Sequence, residues 1–189
     1  LLAVYPILRY HKNYFNNIPL QFALLLVAFV FGLKSGAIMN YIDSLLESFM
    51  MLLGYEGYAF GGVESSMAEM KLGISLLSTM MIDVMIISYS TKMKSYYNNN
   101  KFLCYYDLYF VGVIAYMLFA NSYILLRPFR YFKFFKMIIS AYLLYYLFKN
   151  GKSPKNVLAF IVFILLYLLQ YVAIFRYSAD ACYVYNFYW

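Results

Sequence analysis

Charge is scarce in this sequence and histidine nearly absent: 12% of its 189 residues are Asp, Glu, Lys or Arg, and one is His. A soluble domain keeps about a quarter of its residues charged, so an ordinary water-soluble fold is excluded. Cysteine is equally rare. Cys104 falls in the third long apolar run and Cys182 in the C-terminal tail. On the topology derived below a bilayer separates them, far beyond the ~7 Å at which two Cα atoms can be bridged. No His/Cys/Asp/Glu grouping has metal spacing and His11 stands alone, so no metal and no cofactor is expected. No basic stretch precedes the first apolar residues and no small-residue cleavage site follows them, which argues against a secretory signal.

What is present in excess is apolar and aromatic surface. Apolar residues make up 65% of the chain, with 24 Tyr and 18 Phe. Rings with one polar end suit a protein with two lipid–water interfaces. The apolar residues come in long runs at 18–33, 72–89, 102–120, 134–148 and 157–175, each about 15 to 19 residues. With interfacial flanks these approach the length of a helix that crosses hydrocarbon, and the two-residue alternation of a barrel strand is missing. The expected fold is all-α: a polytopic transmembrane bundle of about five spans plus an external amphipathic helix, with 1–189 forming a single transmembrane domain. Residues Leu1 to Leu8 read as the end of an apolar segment already under way, so the chain is expected to be the C-terminal part of a longer one.

The loops sort by charge. Segments 9–17, 91–101 and 149–156 carry Arg9, Lys12, Lys92, Lys94, Lys101, Lys149, Lys152 and Lys155 without an acid. They alternate correctly to share one side, which the positive-inside rule makes cytoplasmic. The net charge of +7 is therefore a topology signal, and no nucleic-acid partner is expected. The outer side receives 34–71, 121–133 and the tail. In the first of these, Ile42, Leu45, Leu46, Phe49 and Leu53 form one helical stripe with Asp43 and Glu47 opposite, the pattern of a helix lying on the outer leaflet. The string from Tyr96 to Asn100 reads as a short polar turn.

Two features point to chemistry. Segment 126–136 places Arg127, Arg130, Lys133 and Lys136 on the outer side, against the usual bias. They either snorkel to headgroups or hold an anion. In the second case Pro128 would open a helix whose free N–H groups assist Arg127 and Arg130, three apart on one face, while Lys136 lies on the opposite face and its loss should matter little. The second feature is acid: Glu56, Glu64 and Glu69 lie in a glycine-rich outer loop where a carboxylate could act as general base. Asp83 falls in mid-span and needs either a basic partner or a polar cavity, whereas Asp107 is expected to pair with a loop lysine.

The order of a Tyr-Pro and basic loop, a span, an outer amphipathic helix, Gly54-Tyr-Glu-Gly-Tyr58, a span, a Lys/Asn turn, a span ending Ala-Asn-Ser, and then Ile124-Leu-Leu-Arg-Pro-Phe-Arg-Tyr-Phe132 resembles the C-terminal half of the EpsG-type family, membrane proteins related to Wzy O-antigen polymerases. Where that family carries Ser before the arginine, this chain has Leu126. The resemblance implies a multi-pass enzyme of the bacterial inner membrane, a glycosyltransferase that joins undecaprenyl-pyrophosphate-linked repeat units into exopolysaccharide, capsule or O-antigen. Its partners would be lipid-linked oligosaccharide, membrane lipids and other polysaccharide-assembly proteins. Arg127, Arg130, Lys133 and Tyr131 become the expected substrate-binding residues, and Glu64 and Glu56 the candidate bases. The alternative is a structural subunit of a respiratory or transport complex.

Overall fold

The computed structural model describes residues 15–52 and 73–177, and every regular element among them is helical. In chain order these are α1 (Ile18–Lys34), α2 (Gly36–Leu52), α3 (Ile74–Ser88), α4 (Ser90–Tyr97), α5 (Asn100–Leu118), α6 (Tyr123–Phe129), a 3-10 turn (Arg130–Phe132), α7 (Lys133–Lys149) and α8 (Pro154–Tyr177). The five long apolar runs thus coincide with α1, α3, α5, α7 and α8. By length and composition, α5 and residues Pro154–Val172 of α8 are apolar enough to cross a membrane, and α1 with Gly36–Leu46 of α2 would add a third span, bent by 76°. At about 1.5 Å per residue, α5 is roughly 28 Å long, close to the ~30 Å hydrocarbon thickness of a bilayer.

Helix α5 is the centre of the bundle. Phe102, Tyr106, Tyr109, Phe110 and Val113 are buried on it, and they meet Leu25 of α1, Ile82 and Ile86 of α3, Ile139 and Leu143 of α7, and Phe163 and Leu166 of α8. Helix α8 packs on α3 and α7 and leaves Leu158, Ile161, Leu165, Leu168 and Val172 exposed. Large aliphatic side chains on the outside and tyrosine in the centre reverse the soluble pattern. In lipid no hydrophobic force favours burying leucine, so close packing and hydrogen bonds decide which faces meet.

Helix α2 departs from the expected arrangement in the same way. It starts one residue after α1 ends, and Asp43, expected on a solvated face, is 3% exposed and accepts a hydrogen bond from Ser122 Oγ at 2.5 Å. Ile38, Tyr41, Leu45, Phe49 and Leu52 face outward. Leu45 and Phe49 of the expected stripe thus face away from the bundle, as a helix lying on a leaflet requires, and what departs is Asp43, which turns to a protein partner in place of water. The polar turn read at 96–100 is narrowed to Asn98 and Asn99, and the rest of the basic segment 91–101 is helical. Helix α4 occupies most of it, Asn98 closes that helix in the left-handed region (φ 33°), and the Asn99 side chain caps α5 by accepting from the Lys101 N–H at 3.0 Å. Asparagine is one of the few residues that tolerates the first role and favours the second.

Candidate functional site

The basic segment begins at a buried polar corner. The Asn121 amide donates to the Gly32 carbonyl, which ties the α5–α6 turn to the α1–α2 bend. Ser122 donates to Asp43 and accepts from the Leu125 N–H at 3.1 Å, three residues on, and so caps α6. Pro128 then falls at the sixth position of this seven-residue helix, and not at the start of one. Lacking an N–H and crowding the preceding turn, proline ends the α-helical ladder: the chain passes through the 3-10 turn and restarts as α7 at Lys133. The expected helix N-terminus under Arg127 and Arg130 is therefore corrected. Arg127 lies within α6, Arg130 opens the 3-10 turn, and the two stand on either side of a break in place of one continuous helical face.

Below the break the segment is attached to the bundle. Gly112 of α5 faces Phe132; a Cβ at 112 would overlap the Phe132 Cβ and stand 3.2 Å from its Cγ. The absent side chain lets the 3-10 turn come this close. One turn along the same face of α5, the Lys133 ammonium lies 4.4 Å from the Tyr116 ring centroid and 3.3 Å from its hydroxyl. Lys136 reaches across to α3. Its ammonium is 2.8 Å and 2.9 Å from the two carboxylate oxygens of Asp83 and 3.4 Å from the Thr79 carbonyl.

That ion pair is the centre of a network linking α3, α5, α7 and α8. The Tyr109 hydroxyl donates to Asp83 at 2.8 Å, Gln170 of α8 donates to the Thr79 hydroxyl at 2.9 Å, and Ser140 and Tyr167 hydrogen-bond across α7 and α8. Asp83 is 1% exposed. A carboxylate this deep needs a cation and a donor, and it has both. Of the two accounts open for Asp83, the basic partner is the one observed, and that partner is Lys136, the lysine expected to matter least.

A second lysine, this one buried, lies at the other end of α5. Lys94 of α4 donates to the Phe15 carbonyl and sits 4.3 Å from the Tyr106 ring centroid. Tyr106 donates in turn to Gln21 of α1. Burial pushes the Lys94 ammonium down to about 8, while the carboxylate of Asp107 works against that shift. The folded chain releases this proton near pH 8 and the unfolded chain holds it to about 10.5. Between those values the unfolded state binds more protons, so the Lys94 contribution to stability rises with pH. Burial and neighbouring tyrosines push Tyr97 the other way, up to about 12 from 10, so its contribution falls only above pH 10. The thermal midpoint in detergent, followed from pH 7.5 to 9.5, should climb more steeply in the wild type than in Lys94→Met; parallel curves would show that this lysine is not the group involved.

Of the other expected site residues, Tyr131 is 81% exposed on the 3-10 turn and Lys133 is exposed. Glu56, Glu64, Glu69, His11 and Cys182 lie outside the described residues, and Cys104 is buried and free. Among the described residues, no group of three or more His, Cys, Asp or Glu could hold a metal ion. Gly112, Tyr116, Thr79 and Gln170 went unnoticed in the sequence. Gln170 carried a signal, as an amide inside an otherwise apolar run, and so did the four-residue spacing of Gly112 and Tyr116. No family model, no curated protein and no solved structure matches this chain.

Proposed function

We propose that the chain is a five-span, multi-pass protein of the bacterial inner membrane that transfers a growing glycan from a polyprenyl-pyrophosphate carrier to the end of another lipid-linked repeat unit. The observation that carries this reading is the clustering of Arg127, Arg130, Lys133 and Lys136 at the break between α5 and α7, the end of α5 opposite the acid-free loops. Such a cluster opposes the charge bias of membrane insertion, and retaining it calls for something that offsets or uses the charge. Lys136 is offset by Asp83 and Lys133 is seated on Tyr116, so the anion-binding role passes to the two arginines. A guanidinium fork matches phosphate oxygens bidentately, and departing pyrophosphate is the group on which charge develops. Glu56 and Glu64 remain the candidate bases for the acceptor hydroxyl. Asp43, the carboxylate brought to the start of α6, is buried and held by Ser122. The membrane setting draws on α5 and α8, and the outward apolar stripe of α2 suits an interfacial position beside the outer leaflet.

The test is a glycan-length ladder from membranes carrying each variant at matched expression. Arg127→Lys keeps the charge and loses the fork. A charge-assisted hydrogen bond in a partly desolvated site contributes about 1.5–3 kcal/mol, so transfer should slow on the order of ten- to a hundredfold. Wild-type ladders from both Arg127→Lys and Arg127→Ala would remove the anion role and leave headgroup anchoring.

A further inference from the structure

The attachments of the basic segment are more numerous than a connecting loop requires. Within five residues the chain is fixed at three points on two helices: Phe132 on α5 at Gly112, Lys133 on α5 at Tyr116, and Lys136 on α3 at Asp83. Gly112 and Tyr116 are four apart and share a face of α5, while Phe132 and Lys136 are four apart across the first turn of α7. Lys136 thus spends its charge inside the protein, and Lys133 rests against the Tyr116 ring at the surface. Rings extend the seat upstream, since Phe132 contacts Phe129 and Phe129 stacks on Phe119 with centroids 5.4 Å apart. All of this bears on the backbone that carries Arg127 and Arg130.

We infer that Asp83, Gly112 and Tyr116 are positioning residues for the outer anion site: through Lys136, Phe132 and Lys133 they set the height and angle at which Arg127 and Arg130 are presented. The inference rests on the pyrophosphate reading of the two arginines. None of the three touches the ligand. Each fixes a different degree of freedom: Gly112 sets the distance of the turn from α5, Tyr116 its rotation about that contact, and Asp83 the depth of the first turn of α7. Bidentate recognition is sensitive to displacements of an ångström, so loosening one tie should weaken ligand binding even when the bundle stays folded.

The experiment uses the full chain in nanodiscs of zwitterionic lipid, in a Cys182→Ser background, with two readouts. Tyr131→Cys reports the position of the turn through its labelling rate with a membrane-impermeant maleimide. Inorganic pyrophosphate and a short prenyl pyrophosphate report the anion site. In Asp83→Leu/Lys136→Leu, which removes the tie without stranding a charge, the thermal midpoint should stay within a few degrees of wild type. Its labelling rate should shift at least about threefold and pyrophosphate affinity should fall about tenfold. Gly112→Ala should shift both readouts in the same direction, and Lys136→Arg, which keeps the partner of Asp83, should hold both within about twofold. Unchanged labelling in the double variant and in Gly112→Ala would overturn the positioning role whatever the ligand is, and so would altered labelling with unchanged affinity. Altered labelling in a protein whose wild type binds neither probe would support the ties and refute the pyrophosphate reading.

Discussion

Replacing either Asp83 or Lys136 alone by leucine is expected to destabilise the protein by about 3–5 kcal/mol, because each single change leaves the other charge without its partner inside the bundle. Asp83 is 1% exposed and the Lys136 side chain 16%, so neither has ready access to water. The lysine has some relief, since it stands in the first turn of α7 and its stem can reach toward the interface. Replacing both by leucine removes the desolvation cost together with the attraction, and should return stability to within about 1 kcal/mol of wild type. The coupling would then approach the sum of the two single-variant costs, well above the few tenths of a kcal/mol expected of independent sites. Unfolding titrations in mixed micelles on the four proteins of the cycle measure it. Additive effects would mean that the pair contributes nothing as a pair, and that Tyr109 and local water already satisfy Asp83.

The second large effect is expected at Gly112. Alanine is the better helix former by about 0.8–1 kcal/mol, so an exposed glycine in this place would be improved by the change. Here the added Cβ would overlap the Cβ of Phe132, a backbone-proximal atom that no rotamer change can move away. Overpacking of this kind costs about 1–3 kcal/mol, so Gly112→Ala should be destabilising on balance and Gly112→Leu more so, by about 3 kcal/mol. Gly36, at the start of α2, is the internal control: nothing lies within 4 Å of a Cβ built there, and Gly36→Ala should leave stability unchanged or slightly raised. The same unfolding titrations compare the two, and a Gly112→Ala protein as stable as Gly36→Ala would mean that the turn does not dock on α5.

The long helices were legible in the sequence because their cause is local. A run of apolar residues must satisfy its backbone within itself in hydrocarbon, and helix is the way a single segment does so. Hence the run at 18–33 became Ile18–Lys34, and the run at 134–148 became Lys133–Lys149. The polar turn at 96–100 was legible because its cause is local too, and the structure centres it on Asn98 and Asn99. Which way each helix turns was not readable. In water an apolar stripe names its own buried face, but beside lipid both faces of α1, α3 and α7 are apolar, and the stripe of α2 points outward while Asp43 points in. Pro128 was ambiguous because proline suits the first turn of a helix and also ends one, and the choice here was made upstream by the Ser122 cap. The partner of Asp83 could not be found by helical position alone, since Lys136 is 53 residues away and only the packing of α7 against α3 and α5 brings its long stem to the carboxylate. Sequence by itself determined where the chain is helical and where its charges are anomalous, because both follow from near neighbours and the bilayer. Tertiary structure decided which anomalous charges are neutralised within the bundle, because an ion pair between helices depends on a distance that local sequence does not contain.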